Sequence, residues 1–418
     1  MVSTVFALIF LVAFSLWFGQ YLHARHPFTD LRIFRLLIPY HFVLTVAYYL
    51  YAMFNPSDAH HYYLKVLNHI YGDSWLNYYG TSTNFIDFIG YPLVNYFGFS
   101  FEATMIIFSI WGLLGFFYFY VVLQERLKYD HKLFGYSIFM IVLFLPNLHF
   151  WSGSFGKGAV IFMGFGMFFY ALNNVKDRWI TGLIGALIIY HVRPHIMLVV
   201  LIATIIGFVF SSRGISVSFK ILAILFAIGA VYFVIDDVLE LTGIEEEDIL
   251  GQVSDLSNTR TIGIDSLTRA RSGVDISNYN MFMKLFTFWF RPLFFDIRGM
   301  LYLIVSFENL FYLIIFLKLF RTDFISFFNR SDHVVKASVL TFLGTSIALA
   351  QISGNLGLAM RQKSQVMMLM MFVILKFLDE RQLQADEREA LRKKIAANRG
   401  GRGLMGNNSK KVNPAAGG

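Results

Sequence analysis

An all-α, polytopic transmembrane helix bundle is the fold class the sequence predicts, on two observations. The 418 residues are 56% hydrophobic and only 15% charged, with a mean hydropathy of +0.57. Soluble domains run nearer about 45–50% apolar and about 25% charged. Apolar runs of about 17–20 residues also recur along the chain, which is the length a helix needs to cross about 30 Å of hydrocarbon. A transmembrane β-barrel would instead show alternating segments of about ten residues, and the chain has none. Aromatic residues make up 18% of the chain, with 47 Phe, which suits lipid-facing and interfacial surface.

In chain order the candidate spans are 2–20, 35–54, 102–123, 134–150, 156–173, 179–193, 194–211, 217–236, 300–319, 335–352 and 365–378, about eleven in all. The first run lacks a basic flank before it and an A-x-A-like site after it, so it reads as a span and not as a cleavable signal. The pairs 134–173 and 179–211 carry polar residues at their midpoints, which makes their members candidates for tilted or re-entrant segments. Alternate loops are rich in Lys and Arg: 23–35, 124–132, 173–178, 211–220, 321–336 and the tail from Lys376. Basic loops face the cytoplasm, so the N-terminus is expected outside and the C-terminus inside. The outer set is then 55–101, 146–157, 191–195, 237–299 and 353–363, with 59–72 amphipathic and partly helical. Residues 1–380 form the bundle. Residues 381–418 form a basic cytoplasmic tail, with a charged helix over 381–399 and a Gly- and Asn-rich, disordered end.

The chain has no cysteine, which excludes disulfides, thiolate metal sites and a cysteine nucleophile. The net charge of +8 does not point to nucleic acid, because no soluble basic domain carries it.

Ionisable groups near or within spans are costly in hydrocarbon and usually face a cavity or a partner. Five places on the outer side stand out. In 55-NPSDAHHYYLKVLNHIYGDSW-75, Asp58 stands beside His60 and His61. A carboxylate there can act as a general base, hold a divalent metal together with a histidine, or cap a helix. At a helical period, His60, Leu64, Leu67 and Tyr71 share a face. In 146-PNLHFWSGSFGKG-158, His149 and Trp151 precede Lys157, which opens the next helix. Lysine at the positive end of a helix favours an anion there; the alternative is a lysine snorkelling to the interface beside an anchoring Trp. In 190-YHVRPHIML-198, Arg193 lies between His191 and His195 amid long apolar runs. It needs a ligand phosphate or a carboxylate such as Glu308. In 286–311, Arg291, Asp296 and the intramembrane Glu308 recur. In 353–371, Arg361 and Lys363 open the last span, against the positive-inside trend. The long outer loop adds Arg260, Arg269 and Arg271 behind the acidic run 245–248. Together these sites suggest an anion-binding cavity with a general base, reached from the bilayer by a lipid phosphate or pyrophosphate.

The pieces 57-SDAHHYY-63, 146-PNLHFWSGSFGKGAVIF-162, 192-VRPH-195, 290-FRPLFFD-296, 307-FEN-309 and 354-GNLGLAMRQKSQ-365, in this order and at span ends, resemble bacterial O-antigen and exopolysaccharide polymerases. More distantly they resemble the multi-span (GT-C type) glycosyltransferases that use polyprenyl-linked sugars. The resemblance covers most of residues 30–380. It implies an enzyme of the bacterial inner membrane, with its site on the periplasmic or extracellular side. Such an enzyme transfers a sugar or glycan from an undecaprenyl-pyrophosphate-linked donor to an acceptor hydroxyl, in company with envelope glycan assembly proteins. On that resemblance Lys157, Arg193, Arg291 and Arg361 would hold the phosphates. Asp58, His60 and His195 would be the base candidates, with His61, His149, Trp151, Glu308 and Lys363 supporting, and loop 237–299 would cover the site. No firm D-x-D motif is present, so no metal ligand is assigned, although a divalent metal stays open. A transporter or flippase of lipid-linked oligosaccharide is the second reading. A scaffold protein without an active site is the third.

Overall fold

The computed structural model describes residues 2–211, parts of 216–232, and 273–408 save 275, 277, 278, 321, 322, 352 and 354, with side chains as far as Ile395. The candidate span 217–236 falls only partly among these residues. Arg260, Arg269, Arg271 and the acidic run 245–248 lie outside them.

The described chain is almost entirely helical. Helix α1 (Val2–Arg25) and α2 (Leu31–Phe54) form a hairpin, and α2 begins where the Asp30 carboxylate accepts the N–H of Arg32. A small lobe follows, built from α3 (Asp58–Leu67), a 3-10 turn (Trp75–Tyr78), α4 (Thr83–Tyr91) and a turn of π-helix (Pro92–Tyr96). Its own apolar centre is Val66, Tyr78, Tyr91 and Val94. Helix α5 (Phe101–Arg126) is the buried axis of the bundle. A two-stranded hairpin, β1 (Lys132–Leu133) and β2 (Tyr136–Ser137), leads to α6 (Ile138–Leu143) and α7 (Pro146–Ser152). Then come α8 (Lys157–Asn173), α9 (Val175–Val192), α10 (Pro194–Val209), α11 (Met281–Phe290) and α12 (Met300–Phe316). The chain ends with α13 (Phe324–Arg330), α14 (His333–Ala350), α15 (Leu356–Lys363) and α16 (Met367–Asn408).

Among the described residues, five helices are long and apolar enough to cross a membrane: α1, α2, α5, Met300–Leu319 and α14. Helices α8 and α10 are apolar but shorter. The outward sides of α1 and α2 expose Val5, Phe6, Ile9, Trp17, Val43 and Leu50, which is lipid-facing chemistry and not that of a water-exposed surface.

Two segments differ from the sequence reading. Residues 134–150 are not one span: the helix stops at Leu143 and restarts at Pro146. Proline drives the residue before it out of the helical region, and Leu145 sits at φ −66°, ψ 120°. The same rule separates α9 from α10, with Arg193 outside the helical region at φ −153°, ψ 85° ahead of Pro194. In the tail, α16 runs on through 400–408, past the expected helix end near 399. Residues 409–418 lie outside the described set.

The central helices touch backbone to backbone, as small residues permit in membrane bundles. A Cβ on Gly112 of α5 would lie 2.0 Å from the Ser152 carbonyl oxygen of α7, and one on Gly185 of α9 would lie 2.8 Å from the Gly164 carbonyl oxygen of α8.

The basic loops gather at one end of the bundle. There Arg178 forks onto Glu125 at 2.9 and 3.2 Å and stacks over Tyr170, and Arg126 pairs with Asp332. Asp379 accepts the N–H groups of Lys128 and Tyr129, and His333 reaches the Leu172 carbonyl. The beginnings of α3, α8 and α10 meet at the opposite end.

Gly112→Ala should therefore force α5 and α7 apart and destabilise the protein by about 1–3 kcal/mol. Gly299→Ala, where an added methyl meets nothing within 4 Å, should be near neutral. Thermal unfolding in detergent compares the two.

Candidate functional site

Where α3, α8 and α10 begin, the structure encloses a cavity of about 260 Å³. Its wall includes Asp58 of α3, Lys157 of α8, Arg193 and His195 at the start of α10, and Arg361 of α15. These residues span three hundred positions of sequence. Tyr48 of α2, Tyr62, Ser82, Ser154, Gln362 and Gln365 complete it.

Local sequence explains each placement. Ser57, not Asp58, caps α3 by accepting the His60 N–H at 3.3 Å. The Asp58 carboxylate is thereby left to pair with Arg361 across the cavity mouth. Lys157 is the first residue of α8, whose start has no side-chain cap, so unbonded helix N–H groups face the same space. Its ammonium donates to Ser82 Oγ at 2.8 Å. Ser82 is held by its own N–H, which donates to the His191 carbonyl at 2.6 Å and docks the small lobe on the end of α9. Arg193 is half-buried, and its Nε is buried without a hydrogen-bond partner among the described residues. Arg361 lies within electrostatic reach of both Lys157 and Arg193.

The cavity thus holds three cations, one carboxylate and a histidine. Like charges crowded in a partly desolvated space repel, and each loses hydration. A multivalent anion relieves both costs. Planar guanidinium groups bind phosphate oxygens in pairs, and a helix N-terminus adds backbone donors. A divalent metal at Asp58 would meet those three like charges instead. Among the described residues no group of three or more His, Asp or Glu stands together as a metal site.

The other candidates lie elsewhere. His60 is exposed and stacks on Phe101 at 5.1 Å, and His61 is exposed beside it. Arg291 is bonded to Asp296 at 2.5 and 3.0 Å and does not line the cavity. Burial alone would raise the Asp296 carboxyl, but the hydrogen bonds from Arg291 and the Leu293 N–H hold it below the usual carboxylate range. His149 is fully buried; it meets His41 at 2.9 Å between the two Nδ1 atoms and stacks on Phe116. Glu308 does not reach Arg193. It accepts the Asn147 N–H and the Tyr312 hydroxyl, both at 2.9 Å. Asn147 also accepts from Trp151 and donates to the Met360 carbonyl. Lys363 is buried on Asn309 Oδ1 at 2.5 Å and the Arg291 carbonyl at 3.0 Å. These groups form a polar brace beneath Arg361 that ties α7, α11, α12 and α15 together.

Behind Lys157 sits a pair that the sequence reading missed. Asp87 of α4 is fully buried and bonded to Lys65 at 2.6 Å, with its second oxygen unpartnered among the described residues. Burial pushes the Asp87 carboxyl above its usual range despite Lys65. Lys65 is pushed up in turn: burial opposes its charge, but its bonds to Asp87 and Tyr71 outweigh that. The only signal in the sequence is an acidic residue in the apolar stretch 84-NFIDFIGY-91.

Comparison of the chain with family models, with curated proteins and with solved structures finds no match to any of them.

Structural and ligand-directed charges should part company on mutation. Lys65→Met strands a buried carboxylate and should cost about 3–5 kcal/mol. Arg193→Met relieves repulsion between cations and should leave thermal stability unchanged or slightly raised. Melting curves of the two variants in the same detergent check this.

Proposed function

We propose that the protein is an integral membrane glycosyltransferase of the polysaccharide-polymerase kind. It transfers a sugar or glycan from a polyprenyl-(pyro)phosphate-linked donor at the outer leaflet to an acceptor hydroxyl. The observation that carries this reading is the convergence of Lys157, Arg193 and Arg361 with the single carboxylate Asp58 on one cavity. Three cations suit a leaving pyrophosphate, whose charge grows as the anomeric carbon takes on cation-like character. Asp58 suits the role of general base for the acceptor, and His195 lies in the same wall.

The sidedness supports the reading. The basic loops collect at the end opposite the cavity, which by the positive-inside trend is cytoplasmic. The N-terminus is then outside, the C-terminus inside, and the cavity opens toward the outer leaflet of a bacterial inner membrane, where a lipid-linked donor can enter from the bilayer. A carrier for lipid-linked oligosaccharide needs its cations accessible from both sides, whereas these cluster at one end.

Glycolipid and polymer profiling in the host tests it, comparing the deletion with wild-type, Asp58→Asn and Arg193→Ala complementation at matched membrane levels. Loss of long glycan with lipid-linked units accumulating on the outer leaflet is expected in the deletion and both variants. A general base contributes about 10²–10⁴-fold, and loss of Arg193 should be at least as severe. Accumulation on the cytoplasmic leaflet would support the carrier instead, and an unchanged profile would contradict both.

A further inference from the structure

The three cavity cations are not in equivalent states. Lys157 is bonded only to a neutral hydroxyl, Ser82 Oγ. Arg193 has no carboxylate partner among the described residues, and its Nε is unbonded. Arg361 alone is paired with an acid, Asp58, and that pair is open to solvent: Asp58 is 51% and Arg361 30% exposed. An anion settling on Lys157 and Arg193 therefore arrives beside a guanidinium already engaged by a carboxylate.

Asp58 engages that guanidinium through one N–H, at Nη1, so a phosphate that takes the paired donors of the fork competes with the carboxylate for the same cation. A half-exposed ion pair is worth little, about 1 kcal/mol at most, whereas a phosphate group offers Arg361 two charge-assisted hydrogen bonds and a larger charge. The incoming anion also repels Asp58.

On the premise that the cavity takes a phosphate-bearing anion, we propose that Arg361 is an exchangeable latch. It holds the Asp58 carboxylate while the cavity is empty and transfers to the ligand phosphate when the cavity fills. Asp58 is then released at the mouth as a base only when donor is present. In the transfer step the acceptor hydroxyl proton passes to an Asp58 carboxylate oxygen. The hydroxyl oxygen bonds to the anomeric carbon, and the carbon–oxygen bond to phosphate breaks, with its electron pair leaving on the pyrophosphate. Tying base release to donor occupancy keeps a free carboxylate from activating water at an empty site. Only Arg361 can do this, because Lys157 and Arg193 hold no acid to release.

The test is binding of inorganic pyrophosphate to the purified full-length protein, measured by calorimetry for wild type, Asp58→Asn, Arg361→Gln, the double variant and Arg193→Gln, each checked for a monodisperse gel-filtration peak. The latch predicts that Asp58→Asn binds about fivefold more tightly than wild type, the factor matching about 1 kcal/mol of lost competition. The gain should vanish in the Arg361→Gln background, because the two effects are coupled through one pair. Unchanged or weaker binding by Asp58→Asn, with binding still lost in Arg193→Gln, would overturn the latch and leave the anion site standing. No pyrophosphate binding by wild type or any variant would overturn the anion site itself.

Discussion

Mutual repulsion among Lys157, Arg193 and Arg361 is the constraint around which the cavity end of this protein is organised. Three cations share a cavity of about 260 Å³ with one carboxylate. Nothing in the physics of folding favours that arrangement, since each charge loses hydration and pushes on the others. The unbonded N–H groups at the start of α8 add still more positive potential, so the site is biased toward anions before any ligand arrives.

Holding such a site open requires rigidity beneath it. The brace through Asn147, Glu308, Asn309 and Lys363 satisfies each buried polar group from a different helix. Satisfied networks of this kind fix the relative positions of the elements that share them. The brace fixes α15, and with it Arg361, against α7 and α12. On the other flank, the Ser82 N–H docks the small lobe on α9, and the Lys65–Asp87 pair ties α3 to α4 within it. The ion pairs at the far end join α5, α9, α14 and α16 without entering the cavity. The charges at the far end and in the brace are thus matched by protein partners, whereas Lys157 and Arg193 hold no carboxylate and Arg361 holds a half-exposed one.

Much of this was legible in the sequence because hydrocarbon makes misplaced charge conspicuous. Asp58, Lys157, Arg193, His195 and Arg361 each break an apolar pattern at a span end, and all five meet. Partner identity was less legible. Arg291 has the same local look as Arg193, yet a turn brings Asp296 back onto it within five residues. Glu308 answers to Asn147 and Tyr312, not to an arginine. Which face of α3 packs inward was not legible from its period alone. Ala59, Tyr62 and Val66 are its buried positions, so it turns Tyr62 inward and leaves His60 and Leu64 exposed. A large aromatic that can pack against Phe155 decides the face more strongly than a histidine pair does. In 134–150 the hydropathy of the run masked Pro146, which breaks it.

The most direct measurement is a structure of the full-length protein in a lipid nanodisc with a polyprenyl pyrophosphate. The account predicts pyrophosphate density between Lys157, Arg193 and Arg361, with the lipid chain leaving toward the bilayer. Density instead among Arg126, Lys128 and Arg330, in the basic pocket at the opposite end, with the cavity at Lys157, Arg193 and Arg361 empty, would contradict it.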